Sequence, residues 1–436
     1  MRGENDPAEI AATLQELAGT REALLARSAR EIAERLGRVG DRFRNPDDPL
    51  TREVLRDVGE EAGLSASMTR RVVAGMARDW TGERLEEVLR REFGDPRRLD
   101  AFTPDPRGGR WVRILGDAVA LHLGSGSVPG VSATSLIRSL LVKTPVLIKP
   151  GAGDQALTRA FHRALAREDP ALGASAAVVY WHGEAEELLG VALPLVGRVV
   201  AYGSDATVQR VRDATPPTTP TVLYHHRLSV AVLGPEALGD GALESTVAEV
   251  ARAACTFDQR GCVSPHRVFL LGVGAEGGRV VGEALAHAMA AEARDAPPGA
   301  PDPRESARLQ QLRGEMELRA AAGEAVALWR SPDTAWTVVL ETDGPEGPVG
   351  HRRTVFLVPL ATPEELARRL GPLGPHLQSV GIAGLGDGTG AVVEALARAG
   401  VTRVTALSDM PFPPAWWHHD GQGPLRALVR YVEWEG

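Results

Sequence analysis

Ala118-Val-Ala-Leu-His-Leu123, Gly124-Ser-Gly-Ser-Val-Pro-Gly130, the segment 131–141 and Pro145-Val-Leu-Ile-Lys149 decide how this sequence is read. An apolar run is followed by a glycine-rich turn, a stretch with helical spacing, and a second apolar run. That is a strand, a tight loop, a helix and a parallel strand, the βαβ unit of a doubly covered sheet. The alternation continues outward, with strands expected at 176–180, 199–202 and 230–233 and helices at 154–167, 184–189 and 205–212. It resumes beyond residue 260 with strands at 268–271, 336–340, 354–358, 379–383 and 403–406. Helices at 279–294, 303–322, 363–369 and 389–399 separate them. Upstream, residues 8–95 carry helical spacing, as in Leu14, Leu17, Leu24, Leu25 and Ile32, broken at Asn45-Pro-Asp-Asp-Pro49. An α/β fold with a helical N-terminal region is the expectation.

Composition narrows the chemistry. A chain of 436 residues buries a large core and should form two or more domains. A formal charge of −8 argues against a general nucleic-acid binder. The opening Met-Arg-Gly-Glu-Asn-Asp-Pro has no apolar targeting segment, and no apolar run is long enough to span a bilayer, so the cytoplasm is the expected location. Both cysteines, Cys255 and Cys262, lie in one stretch, which suits a reducing compartment better than a disulfide framework.

Cys262 ends Asp258-Gln-Arg-Gly261 and precedes an apolar run, so it is expected at a helix-to-strand turn that presents a reactive thiol. Cys255 falls on the preceding helical pattern and reads as packing. Only two of the 49 basic residues other than histidine are lysines, Lys143 and Lys149. A lysine kept in an arginine-rich chain offers a compact charge on a flexible stem. Lys149 is expected at the carboxyl end of a parallel strand, where α/β folds bind ligands; Lys143 reads as a helix-end cation. The glycines at 124–130 would leave helix N-terminal amides for a phosphate or oxyanion, although this is neither a Rossmann fingerprint nor a P-loop.

These pieces resemble the LuxC-type fatty acyl-CoA reductases of the aldehyde dehydrogenase superfamily, from about Arg110 to the C-terminus. The segments in order are Gly126-Ser-Val-Pro-Gly130, Ser135-Leu-Ile-Arg-Ser-Leu-Leu141, Leu147-Ile-Lys149-Pro150, Val200-Ala-Tyr-Gly203-Ser204-Asp205, Asp258-Gln-Arg-Gly-Cys262 and Trp417-His-His-Asp-Gly421. Arg267 has the spacing seen after the superfamily's nucleophile. The resemblance implies an aldehyde dehydrogenase-like α/β fold: a helical region at 1–105, a Rossmann-like nucleotide-binding domain at 106–238, an inserted catalytic domain at 239–410, and a segment 411–436 returning to the nucleotide-binding domain. It implies Cys262 as the acylated nucleophile. It further places Lys149, with Pro150, at the adenosine ribose and its phosphate, and Gly203-Ser204 at the cofactor pyrophosphate.

Ser127 stands where the superfamily commonly has an oxyanion-holding asparagine. Losing one such donor costs roughly 3 kcal/mol of transition-state stabilisation, so the backbone N–H of Cys262 would take a larger share. No acid stands in Tyr224-His-His-Arg-Leu-Ser229, where aldehyde oxidisers keep a water-activating glutamate, which favours the acylating branch. The implied reaction is NADPH-dependent reduction of a fatty acyl-CoA or other acyl thioester to the aldehyde, with coenzyme A released. NADPH is preferred to NADH because Ala152, three residues after Lys149, puts no acid near a 2′-phosphate. The implied partners are fatty acyl-CoA or an acylated acyl-protein-synthetase-like enzyme, and a homo-oligomer. Two alternatives stand beside this reading: an acylating dehydrogenase for short or polyketide-like acyl groups, and a non-reducing acyl carrier or interaction protein. No metal site is expected, because the adjacent His418-His419-Asp420 side chains diverge. Trp416-Trp417 suit an acyl tunnel or simple packing equally.

Overall fold

The computed structural model describes residues 6–106, 108–126, 128–183, 185–239, 241–342 and 352–435. The chain divides into two compact units, the first built from Met1–Gly63, Thr69–His225 and Pro414–Gly436, the second from Leu64–Met68 and His226–Pro413.

The first unit is built on five parallel strands in the order Ala176–Val178, Val146–Lys149, Ala120–Leu123, Arg198–Tyr202, Thr221–Tyr224. Successive side chains point to opposite faces of a strand, and both faces here are apolar. Ala120, Val146, Ile148 and Val200 join a core with helices Ala29–Arg44, Val131–Leu141 and Gln155–Glu168. Leu121, Leu147, Val199 and Ala201 pack with Ile10, Leu14 and Leu17 of helix Pro7–Gly19. The N-terminal helices therefore belong to this unit's core, where Phe43, Trp80 and Phe161 meet ring to ring at centroid separations of 5.3 to 6.1 Å. The C-terminal segment joins it through Glu92, whose buried carboxylate accepts from the N–H groups of Leu425 and Arg426 at 3.0 Å each. Arg430–Trp434 adds an antiparallel strand to Trp111–Leu115, which also pairs with Thr103–Pro104.

The second unit has seven strands in the order Val326–Arg330, Thr337–Glu341, Thr354–Leu360, Pro265–Leu271, Leu228–Leu233, Leu377–Ala383, Arg403–Ala406. All neighbours are parallel except the edge strand Val326–Arg330. One face packs on helices Leu243–Cys255 and Ala275–Asp295, the other on Pro363–Leu370 and Thr389–Arg398. Helix coverage on both faces explains why Leu228–Leu233 is buried at every position. Among the described residues no helix is long and apolar enough to cross a membrane.

His122 lies inside the first unit, 2% exposed, and neither ring nitrogen has a hydrogen-bond partner. Burial, aided by the charges of Arg198 and Arg138, pushes its pKa from 6.5 down to about 3. The unfolded chain therefore binds the proton more readily, and stability should fall as pH drops below the unfolded value. Between pH 7 and pH 5 the loss from this residue is about 2 kcal/mol. Asp154 works in the opposite direction, because burial raises its carboxyl to about 7 and its contribution is lost as pH rises through that value. The measurement is thus a difference: His122→Leu should gain about 2 kcal/mol on the parent between pH 7 and pH 5 in urea unfolding. A constant offset between the two proteins would show that His122 titrates normally.

Candidate active site

Helix Leu243–Cys255 ends at a sharp reversal, and strand Pro265–Leu271 begins after it. Three consecutive non-glycine residues in that reversal are left-handed: Phe257 (φ 58°), Asp258 (φ 52°) and Gln259 (φ 60°). Such residues cost about 1 to 3 kcal/mol each and persist only where their surroundings hold them. Here the side chains of the turn do so. The fully buried Asp258 carboxylate accepts from Arg353 Nε at 3.0 Å and Nη2 at 2.7 Å, from the Gly299 N–H at 3.0 Å, and from Arg352 Nη2. Gln259 donates through Nε2 to the carbonyls of Pro265 (2.9 Å) and Thr354 (2.8 Å), and its Oε1 accepts from the Thr354 N–H at 2.6 Å.

Beyond this anchor the chain turns at Gly261 and leaves Cys262 exposed. A Cβ on Gly261 would lie 3.0 Å from the Phe257 ring, so the tight approach favours glycine. The Cys262 carbonyl accepts from Ser229 Oγ at 2.6 Å, and Ser229 Oγ accepts in turn from the Ser379 N–H at 3.2 Å. Both strand pairings are irregular beside Ser229. Cys255 is fully buried, its sulfur 3.7 Å from that of Met289. Arg260 is half-buried, with Nε donating to the Phe257 carbonyl at 3.3 Å. Arg267 is buried on its strand with its guanidinium 5.5 Å from the Phe356 ring centroid.

The other candidates lie in the first unit. Lys149 ends its strand in register with Leu123, with Nζ 5.4 Å from the Tyr180 ring centroid and its pKa lowered by burial. Pro150 follows it, buried. Gly203 and Ser204 follow the parallel strand Arg198–Tyr202, so they share with Lys149 the carboxyl edge of one sheet. Ser204 caps helix Asp205–Ala214, its Oγ accepting from the Thr207 N–H at 3.3 Å. Ser127 lies outside the described residues.

The glycine loop departs from the expectation of open amides. The N–H groups of Gly130 and Ser132, at the start of helix Val131–Leu141, donate at 2.6 and 2.7 Å to Asp154, a buried carboxylate supplied by the chain itself. Close packing explains the glycines better, since a Cβ on Gly151 would lie 2.1 Å from the Gly126 nitrogen. Lys143 is likewise no solvated helix end: it is 1% exposed and pairs with Asp100 at 2.7 Å. In the tail, His418 is exposed while His419 stacks between Tyr224 (4.3 Å) and Trp417 (4.6 Å). Trp416 lies under the guanidiniums of Arg84 and Arg91, at 5.1 and 4.3 Å. The Asp258–Arg353 pair and the Ser229 contact had no local sequence signal, because their partners lie 95 and 33 residues away.

Residues 25–431 match the family described as Acyl-CoA reductase (LuxC). A long-chain acyl-protein thioester reductase from Aliivibrio fischeri is 25% identical over 251 residues, covering 56% of this chain and 50% of that protein. One from Photorhabdus laumondii is 23% identical over 245 residues, covering 54% and 48%. The chain thus spans about half the length of these relatives in the match. Among solved structures, an NADP-dependent glyceraldehyde-3-phosphate dehydrogenase from Bacillus halodurans superposes with a TM-score of 0.77 at 15% identity, covering 98% of this chain and 91% of that one. A benzaldehyde dehydrogenase from Corynebacterium glutamicum gives 0.72 at 14%, covering 99% and 91%. At those identities the likeness establishes the fold, which is that of the aldehyde dehydrogenases.

Proposed function

Because the chain belongs to the acyl-CoA reductase (LuxC) family, we propose that it reduces an acyl thioester to the aldehyde with Cys262 as the acylated nucleophile. The observation that carries this reading is an exposed thiol at the end of a turn whose strained backbone is fixed by buried ion pairs. The Cys262 thiolate attacks the thioester carbonyl carbon, the bond from that carbon to the donor sulfur breaks, and the donor thiol leaves with a proton. The acyl group stays on Cys262. NADPH, when bound, would supply the hydride that reduces the acyl carbon. The thiohemiacetal on Cys262 then collapses, releasing aldehyde and returning the thiol.

The first unit's residues fit such a cofactor. Lys149 presents a half-buried ammonium at the sheet's carboxyl edge, facing an aromatic ring, and would hold the ribose phosphate beside Pro150. Gly203-Ser204 opens a helix whose N-terminus suits the pyrophosphate. Ala152 puts no acid beside a 2′-phosphate, which favours NADPH. Replacing Lys149 with methionine should therefore raise the KM for NADPH about 10- to 100-fold, the worth of one charge-assisted contact, with a smaller change in kcat. Initial rates against NADPH and NADH measure it, and equal losses with both cofactors would remove the 2′-phosphate from the account.

The acyl donor in this reading is a fatty acyl-CoA, releasing coenzyme A, or an acylated partner enzyme. The names of the Aliivibrio and Photorhabdus relatives support the protein-borne thioester. The exposed rings of Trp111, Tyr431 and Trp434 along the small antiparallel sheet support a homo-oligomer. Incubation with a long-chain acyl-CoA and NADPH, following cofactor absorbance and aldehyde, tests the reaction. Acylation of Cys262 without NADPH consumption would support the non-reducing acyl carrier instead.

A further inference from the structure

Ser229 is fully buried on strand Leu228–Leu233, and the second unit's sheet loses its regularity on both sides of it. Toward strand Leu377–Ala383, Leu228 pairs with Leu377 and Val230 with Val380, so Gln378 and Ser379 stand opposite Ser229 alone. Toward strand Pro265–Leu271, Ser229 pairs with Pro265 and Val230 with Arg267, so His266 is the extra residue. Bulges are rare between parallel strands and collect beside active sites, where they re-aim a side chain. Pro265 has no N–H to give to the ladder, and its carbonyl accepts from Gln259 Nε2 at 2.9 Å. The Ser229 hydroxyl takes up both irregularities. It accepts from the Ser379 N–H at 3.2 Å and commits its one proton to the Cys262 carbonyl at 2.6 Å.

That proton constrains the thiol through the backbone. Holding the Cys262 carbonyl fixes the peptide plane that follows Cys262. The Gly261 carbonyl accepts from the Ser264 N–H at 3.0 Å, which fixes the plane that precedes it. With both planes held, the direction of the Cα–Cβ bond is set and the sulfur keeps only its choice of rotamer. An exposed thiol is thereby tied to the buried centre of the sheet through one side chain. We propose that Ser229 is a positioning residue for acyl transfer: its hydroxyl holds the Cys262 peptide so that the thiol meets the incoming carbonyl carbon. The inference rests on Cys262 as the acylated nucleophile and adds the residue that aims it. Ser229 acts through Cys262 and supplies no proton or charge to the reaction.

The test is rapid-mixing acylation of the full chain by p-nitrophenyl octanoate, with no cofactor present. The Cys262 thiolate attacks the ester carbonyl carbon, the bond to the phenolic oxygen breaks, and nitrophenolate leaves as a measurable burst. Ser229→Ala should lower the maximal burst rate about 10- to 100-fold, the scale on which a misplaced reacting group acts, with half-saturation within about threefold of the parent. Ser229→Thr keeps the hydroxyl and should return the rate to within about threefold of the parent. Cys255→Ala, a buried change that removes packing alone, should leave the rate near the parental value. A folded Ser229→Ala with an unchanged maximal rate, or with a loss confined to half-saturation, overturns the inference. So does a folded Ser229→Thr no faster than Ser229→Ala, and Ser229→Ala decides even if Ser229→Thr does not fold. No burst in the parent, or a burst that survives in Cys262→Ala, removes instead the nucleophile that Ser229 is proposed to aim.

Discussion

Cys262→Ala should lower aldehyde formation by roughly 10⁴-fold or more, the scale on which loss of a covalent nucleophile acts. NADPH affinity should be unchanged, because the residues proposed to hold the cofactor lie in the other unit. The matched control is Cys255→Ala. That thiol is fully buried against Met289, and its removal should cost about 1 kcal/mol of stability while leaving turnover near the parental rate. Rates measured with acyl-CoA and NADPH for the two variants side by side separate a chemical loss from a folding loss. If Cys262→Ala keeps a rate within tenfold of the parent, acyl transfer does not pass through that sulfur.

The second large effect concerns stability. Asp258→Asn keeps a residue type that tolerates the left-handed conformation, so it isolates the charge from the backbone strain. It leaves the buried Arg353, and Arg352 beside it, without their carboxylate. Breaking a buried pair from one side costs about 3 to 5 kcal/mol, mostly the desolvated charge left behind. Adding Arg353→Met should recover part of that loss, since removing both partners avoids the stranded cation. Urea unfolding of the two single variants and the double variant measures the coupling. Strictly additive losses would mean that the pair does not hold the turn. The alkylation rate of Cys262 should change in Asp258→Asn even under conditions where the variant is fully folded, because the turn that aims the thiol has lost its anchor.

Regular elements with two buried faces were legible in the sequence. Helix Val131–Leu141 and strand Val146–Lys149 lie where the apolar runs place them, and the partly buried edge strand Arg403–Ala406 also lies at its expected position. Strand Thr221–Tyr224 escaped because it is four residues long, alternately exposed, and follows a proline-rich turn. Strand Val326–Arg330 follows helix Pro303–Ala321 after a short turn, and its last residues are only partly buried. Around the candidate nucleophile, the residues 258–262 were visible as a cluster, and so was their position between a helix and a strand. Their conformation was not, because a phenylalanine at positive φ contradicts its own local preference. What stabilises it arrives from Arg353 and Thr354 through contacts 95 residues apart. The glycine loop misled for a related reason: the group that occupies its amides, Asp154, lies 22 residues beyond Ser132 and reads locally as a helix cap.

The central claim is tested most directly by the intact mass of the protein after incubation with a long-chain acyl-CoA in the absence of NADPH. The account predicts a gain of one acyl group, mapped to the peptide bearing Cys262, absent in Cys262→Ala, and lost with release of aldehyde when NADPH is added. A mass that never changes, or an acyl group found elsewhere in the parent protein, would contradict it.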